Sequence, residues 1–114
     1  VRNFGMVWEI GQSTPEIEAL AQRSHHHWRE ASAEFGFSHR TVGSLHFAYE
    51  PLELAVLEEY LDKIPDPRGR KMISAGEAIE KVPVIRPEGL LGALYSETEG
   101  SVDPREVAPK VLPA

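Results

Sequence analysis

The stretch that most constrains this chain is its first twelve residues, VRNFGMVWEIGQ. Val1, Phe4, Met6, Val7, Trp8 and Ile10 are apolar, Gly5 and Gly11 interrupt them, and only Arg2, Asn3, Glu9 and Gln12 are polar. That is the composition of a buried strand or a close-packed loop, whereas a chain terminus is ordinarily polar and frayed unless something holds it. The expectation is that the other half of its packing surface lies outside these 114 residues, and that the chain is one piece of a larger protein.

Composition removes several classes of function. There is no cysteine, so disulfides, thiolate zinc sites and cysteine nucleophiles are excluded together, in keeping with a reducing, cytoplasmic setting. A net charge of −6 argues against nucleic acid, because phosphate binding needs clustered Lys and Arg. The one basic cluster, Arg68 to Lys71, lies among Pro and Gly and reads as a solvated turn. No apolar run reaches the roughly 18 residues of a membrane span, and no basic–apolar–small pattern marks a signal peptide. A hydrophobic content of 41% is enough for a real core.

Beyond the opening stretch the punctuation is clear. Ser13 or Thr14 can cap a helix that Pro15 opens and Glu16 and Glu18 favour through the helix dipole. Ile17, Leu20, Ala21, Ser24, Trp28, Ala31 and Phe35 recur along it at helical spacing until Gly36 stops it. Within it lies His25-His26-His27; adjacent helix positions diverge by about 100°, so the three cannot share one metal ion and read as a mixed surface face. Val42 to Tyr49 alternates as a strand, with Leu45, Phe47 and Tyr49 on one face and Ser44, His46 and Ala48 on the other, so that His46 is either a hydrogen-bonded structural residue or faces a pocket.

Pro51 to Lys63 is a second helix, with Leu52, Ala55, Val56 and Tyr60 along one side and Leu54, Leu57 and Leu61 widening the face. Ile64 to Lys71 reads as loop. Ser74 and Glu77 form a capping box ahead of a short helix from Ala75 to about Lys81. Leu90 to Tyr95 is a second strand and Ser96 to Gly100 a polar turn. Asp103-Pro104 then opens a last helix through Val107 and Val111. Two strands make too little sheet to be stable, so a marginal mixed α/β chain with exposed apolar surface is expected.

The order RNFGMVW, long helix, GSLHFAY, helix, ISAGEAIEKVP, LLGALYSETEGSVDPREV resembles part of the FAD-dependent oxidoreductases of the D-amino-acid oxidase and glycine oxidase type. Within these it is most similar to a bacterial subgroup linked to phosphonate utilisation. The resemblance covers essentially the whole chain, and Glu9 departs from it, standing where that subgroup carries proline. The dinucleotide-binding G-x-G-x-x-G of such enzymes is absent here. The implied organisation is a flavin-contact loop and long helix over 1–36, a partial substrate domain over 37–100, and over 101–114 the start of a helix returning to the FAD domain.

The resemblance implies a flavin-contacting loop at Arg2, Asn3, Phe4, Gly5 and Met6. The missing Cβ of Gly5 would let backbone approach the cofactor, Arg2 would meet a phosphate or the substrate's anionic group, and Met6 would be a soft contact against a ring. Trp8 and His46 are the implied substrate contacts; no catalytic residue is nominated and no metal is expected. The implied chemistry is oxidation of the C–N bond of a small amine or amino acid, an aminophosphonate in the subgroup, with hydride passing to the flavin and the imine hydrolysing to carbonyl and ammonia. The partners implied are that small amine and the rest of the parent chain, without which these residues would be inactive. The alternative is a small non-enzymatic module that docks a partner through its apolar N-terminal segment.

Overall fold

The computed structural model describes residues 4–112. The chain forms two compact units, one from residues 1–42 and 98–114 and one from residues 43–97. The overall class is mixed α/β, as the sequence implies, but among the described residues six strands make two three-stranded antiparallel sheets rather than one pair of strands.

The first unit holds β1 (Met6–Val7), α1 (Pro15–Phe35), β2 (His39–Thr41), a late strand β6 (Gly100–Val102) and α4 (Pro104–Val111). β6 lies in the middle of the sheet, pairing Met6 with Ser101 and Val7 with Gly100 on one side, and His39 with Val102 and Thr41 with Gly100 on the other. These strands are two or three residues long, too short for alternation to register in a sequence; β6 begins where the expected polar turn ends, at Gly100, and no element is expected over β2. Thr14 caps α1 by accepting the Ile17 N–H at 3.3 Å, and Gly36 ends it in the left-handed region at φ 73°. Val7, Phe37 and Val102 form the buried core with Trp28, Ala31 and Val107 against it, Trp28 meeting Phe37 edge-on.

The inward face of α1 is not the apolar stripe of the sequence. Ile17, Leu20 and Phe35 are exposed, while Glu18, Ala21, His25, Trp28 and Ser32 turn in, with His25 the one fully buried residue. The helix is rotated so that its buried polar contact, rather than its bulkiest aliphatics, sets the face.

The second unit holds β3 (Ser44–Ala48), α2 (Pro51–Lys63), β4 (Arg70–Ser74), α3 (Ala75–Lys81) and β5 (Gly92–Ser96), with β5 central in the order β3-β5-β4. Ile73, Ala78, Leu90 and Ala93 are its buried core, with Leu45, Phe47 and Tyr49 packed against it, the face expected for that strand. β4 replaces the end of the expected loop: RKMIS carries two cations first and runs directly into the cap of α3, which hides its strand character. On α2 it is Leu54, Leu57, Tyr60 and Leu61 that face inward, and Leu52 and Val56 are exposed.

The expected capping box is present. Ser74 Oγ accepts the Glu77 N–H at 3.2 Å and Glu77 returns to the Ser74 N–H. Ser74→Ala is therefore expected to lower the unfolding free energy by about 1 kcal/mol in urea titrations followed by circular dichroism.

Candidate functional site

Residues 4 to 9 alternate strictly. Phe4, Met6 and Trp8 are 91%, 54% and 36% exposed, while Gly5, Val7 and Glu9 are buried. The opening stretch therefore presents an outward apolar row on an inward-anchored strand. Gly5 anchors one end. It sits at φ 75°, its carbonyl accepts the Val102 N–H at 2.8 Å, and a Cβ there would fall 2.0 Å from the Val102 carbonyl oxygen. β6 occupies the space that a Cβ would need, so glycine is required here within the unit itself. Beside the row, Met6, Trp28, Pro104, Val107 and Val111 line an apolar cleft of about 220 Å³. Arg2 and Asn3 lie outside the described residues.

Glu9 anchors the other end. Its backbone N–H donates to Glu99 Oε2 at 2.9 Å, and its carboxylate Oε1 accepts from His25 Nδ1 at 2.8 Å. His25 Nε2 in turn lies 3.1 Å from His39 Nε2. Glu9, His25 and Glu99 are 1% exposed or less. An ionised Glu9 can only accept, so His25 Nδ1 carries a proton. The contact between the two Nε2 atoms then holds a single proton, donated by one ring and accepted by the other, and no more than one imidazole can be cationic while the bond lasts. Burial pushes the His39 imidazole below the ordinary histidine range, and the neighbouring His25 and Arg29 charges act in the same direction.

Gly100 closes this cluster from β6. A Cβ on it would meet His39 Nε2 at 2.8 Å and His25 Nε2 at 2.9 Å. The three consecutive histidines thus have different fates. His25 is the hub of a buried chain, correcting its reading as surface, while His26 and His27 are exposed beside Glu30 and hold its carboxyl below the usual range, His27 through the larger hydrogen bond. Among the described residues no group of three or more His, Cys, Asp or Glu side chains is placed to share a metal ion.

Trp8 and His46, the two implied substrate contacts, belong to different units. Trp8 ends the outward row. His46 sits on β3 opposite Leu94, part-buried, and borders a cleft with Phe47, Leu52 and Val56. The sequence reading missed Glu9, His25, His39, Glu99 and Gly100 as one constellation. A signal existed for part of it: Glu18, Ala21, His25, Trp28 and Ser32 share one helical face, with His25 at its centre. Nothing in the sequence links that face to Glu9 or His39, since the link is made by the sheet.

The chain matches the family described as FAD dependent oxidoreductase (DAO) over residues 1–112, and it belongs to that family. Solved structures agree in fold. Glycine oxidase from Geobacillus kaustophilus is similar at a TM-score of 0.78 and 21% identity, over 92% of this chain and 30% of that one. L-amino acid deaminase from Proteus myxofaciens is similar at 0.76 and 24% identity, over 96% and 26%. L-proline dehydrogenase from P. horikoshii has a TM-score of 0.63 with 32% identity, over 75% and 23%. The chain thus spans less than a third of the length of each. Comparison with curated proteins gives no match. No helix among the described residues is long and apolar enough to cross a membrane.

FAD is the cofactor of this family, and the described residues fit it: Phe4, Met6 and Trp8 offer soft, apolar surface next to an apolar cleft, with no charged side chain in the row.

Two consequences can be measured. Gly100→Ala must separate two imidazoles that are each already bonded, and is expected to cost roughly 1–3 kcal/mol. Because His39 binds its proton less readily in the folded state than in the unfolded chain, the unfolded state takes up protons first as pH falls. Stability is therefore fully present above the ordinary histidine value of about 6.5 and is lost as pH falls through the folded value. Both tryptophans, Trp8 and Trp28, lie in the first unit, so urea unfolding followed by tryptophan fluorescence reports this unit selectively. A midpoint that falls on acidification in the wild type, and falls less in His39→Gln, is the expected result.

Proposed function

We propose that the chain is part of a FAD-dependent oxidoreductase that oxidises the C–N bond of a small amine or amino acid, with an aminophosphonate as the substrate implied by the sequence resemblance. The observation that carries this reading is the outward row of Phe4, Met6 and Trp8, held at both ends, in a chain that belongs to the FAD-dependent oxidoreductase family. The solved structures it is similar to include a glycine oxidase and L-amino acid deaminases, which supports an amine as substrate.

In this reading the first unit belongs to the flavin domain and the second to the substrate domain. When bound, the flavin supplies the hydride acceptor for the substrate C–H bond. The work of these residues is positional. Phe4 and Met6 give the ring an apolar surface, the backbone at Gly5 fixes their height above β6, and Trp8 excludes water at the margin of the site. Arg2, by the sequence resemblance, would meet a phosphate or the substrate's anionic group. His46, in the second unit, is the other substrate contact that the sequence resemblance implies. Neither His39 nor His46 is needed as a general base if the amine enters neutral.

The full-length parent protein supplied with FAD should show a bound-flavin absorption spectrum that bleaches when an amine is added without oxygen. Glycine, proline and an aminomethylphosphonate form the first substrate panel. Bleaching by the phosphonate alone would select the subgroup substrate, and bleaching by an amino acid alone would remove it. A stably folded protein that binds no flavin would leave the docking module, for which the same exposed row is the contact surface, as the better account.

A further inference from the structure

β1 is paired at only two positions, Met6 to Ser101 and Val7 to Gly100. So short a pairing does not by itself fix a strand, and the row of Phe4, Met6 and Trp8 takes its position from what holds the two ends. The Gly5 end is held by a backbone bond, which is insensitive to pH. The Glu9 end is held by ionisable side chains. Four of them from four parts of the unit meet there: Glu9 after β1, His25 from α1, His39 from β2, and Glu99 before β6, with the Arg29 charge of α1 acting on His39 and the Thr98 hydroxyl on Glu99.

We propose that Glu9, His25 and His39 are a proton-dependent latch that positions the outward row of Phe4, Met6 and Trp8. Deepening the flavin reading above, on which its relevance to cofactor binding rests, it makes these three residues positioning residues for FAD. The physical step is a proton balance. With one proton at the Nε2–Nε2 junction the two imidazoles attract. When a further proton from solvent enters that junction, both Nε2 atoms carry N–H groups that oppose each other across 3.1 Å, and the hydrogen bond between the rings is lost. The rings must part, and Gly100, against which both are packed, is the residue that pairs with Val7 of β1 and with Thr41 of β2. Parting the rings therefore disturbs the middle of the sheet and slackens the Glu9 end of β1, where the row is carried. His39 is the partly exposed member and the entry point for that proton.

The test reads the row directly and does not require a flavin. The methyl resonance of Met6, assigned by its loss in Met6→Leu, is followed by NMR in the wild type, His39→Gln and Glu9→Gln as the pH is lowered from about 8 to 5. In the wild type it should titrate with a midpoint below the ordinary histidine value, and in His39→Gln that titration should vanish. In Glu9→Gln the midpoint should move lower still, because the anion that favours the cationic imidazole is gone. With FAD present, affinity should weaken about fivefold or more across the same range in the wild type and remain flat in His39→Gln. A purely structural role predicts lower melting temperatures for the variants with the Met6 titration unchanged. A Met6 signal that is flat in the wild type, that titrates alike in His39→Gln, or that keeps its midpoint in Glu9→Gln overturns the latch. If Met6 titrates as expected but the full-length parent binds FAD at no pH, the latch stands and the flavin reading falls.

Discussion

The first unit depends on the buried carboxylate of Glu9. An ionised group with 1% of its surface exposed is costly unless its lone pairs are met, and here they are met by His25 at 2.8 Å while the backbone of the same residue is tied to Glu99. Removing His25 would leave a buried carboxylate oxygen without this hydrogen bond, a loss of about 1–3 kcal/mol in comparable settings. Three otherwise odd features follow from it. The long helix turns His25 inward and leaves Ile17 and Leu20 in solvent. Glycine is required at position 100, against two imidazoles. A two-residue strand stays ordered because its ends are anchored, one by Glu9 and one by the Gly5–Val102 hydrogen bond.

The second unit is built on a different principle. β5 is buried along almost its whole length, with Gly92, Ala93, Leu94 and Ser96 enclosed, and small residues there let β3 and β4 close over it. Ala78 of the short helix packs into the same core. Ordinary hydrophobic burial and two capping boxes, Glu50 with Glu53 and Ser74 with Glu77, are sufficient to hold it. Buried carboxylates and a buried imidazole mark the first unit, whereas the second buries one guanidinium, Arg70, beside its apolar core.

How much of this was legible in the sequence depends on the range of the interaction. The helix boundaries were readable, because Thr14, Pro15 and Gly36, or Ser74 and Glu77, act on their own neighbours. The strand carrying Leu45, Phe47 and Tyr49 was readable for the same reason, since alternation is local. β2, β4 and β6 were not. Two are three residues long, and the third begins with Arg70, whose burial against Tyr60 no periodicity announces. The site divides in the same way. The alternation of Phe4, Met6 and Trp8 was in plain view, whereas Glu9 joins His25 across 16 positions and Glu99 across 90. Glu9 showed only as a departure from the family pattern. The structure gives that departure a reason: a proline there would lack the N–H that Glu99 accepts.

The measurement that bears most directly on this account is a crystal structure of the protein with FAD. The account predicts an isoalloxazine ring in van der Waals contact with the outward row of Phe4 and Met6, with Trp8 at its edge and Glu9, His25 and His39 still joined beneath. A flavin bound away from that row, with Phe4, Met6 and Trp8 covered instead by other protein, would contradict it.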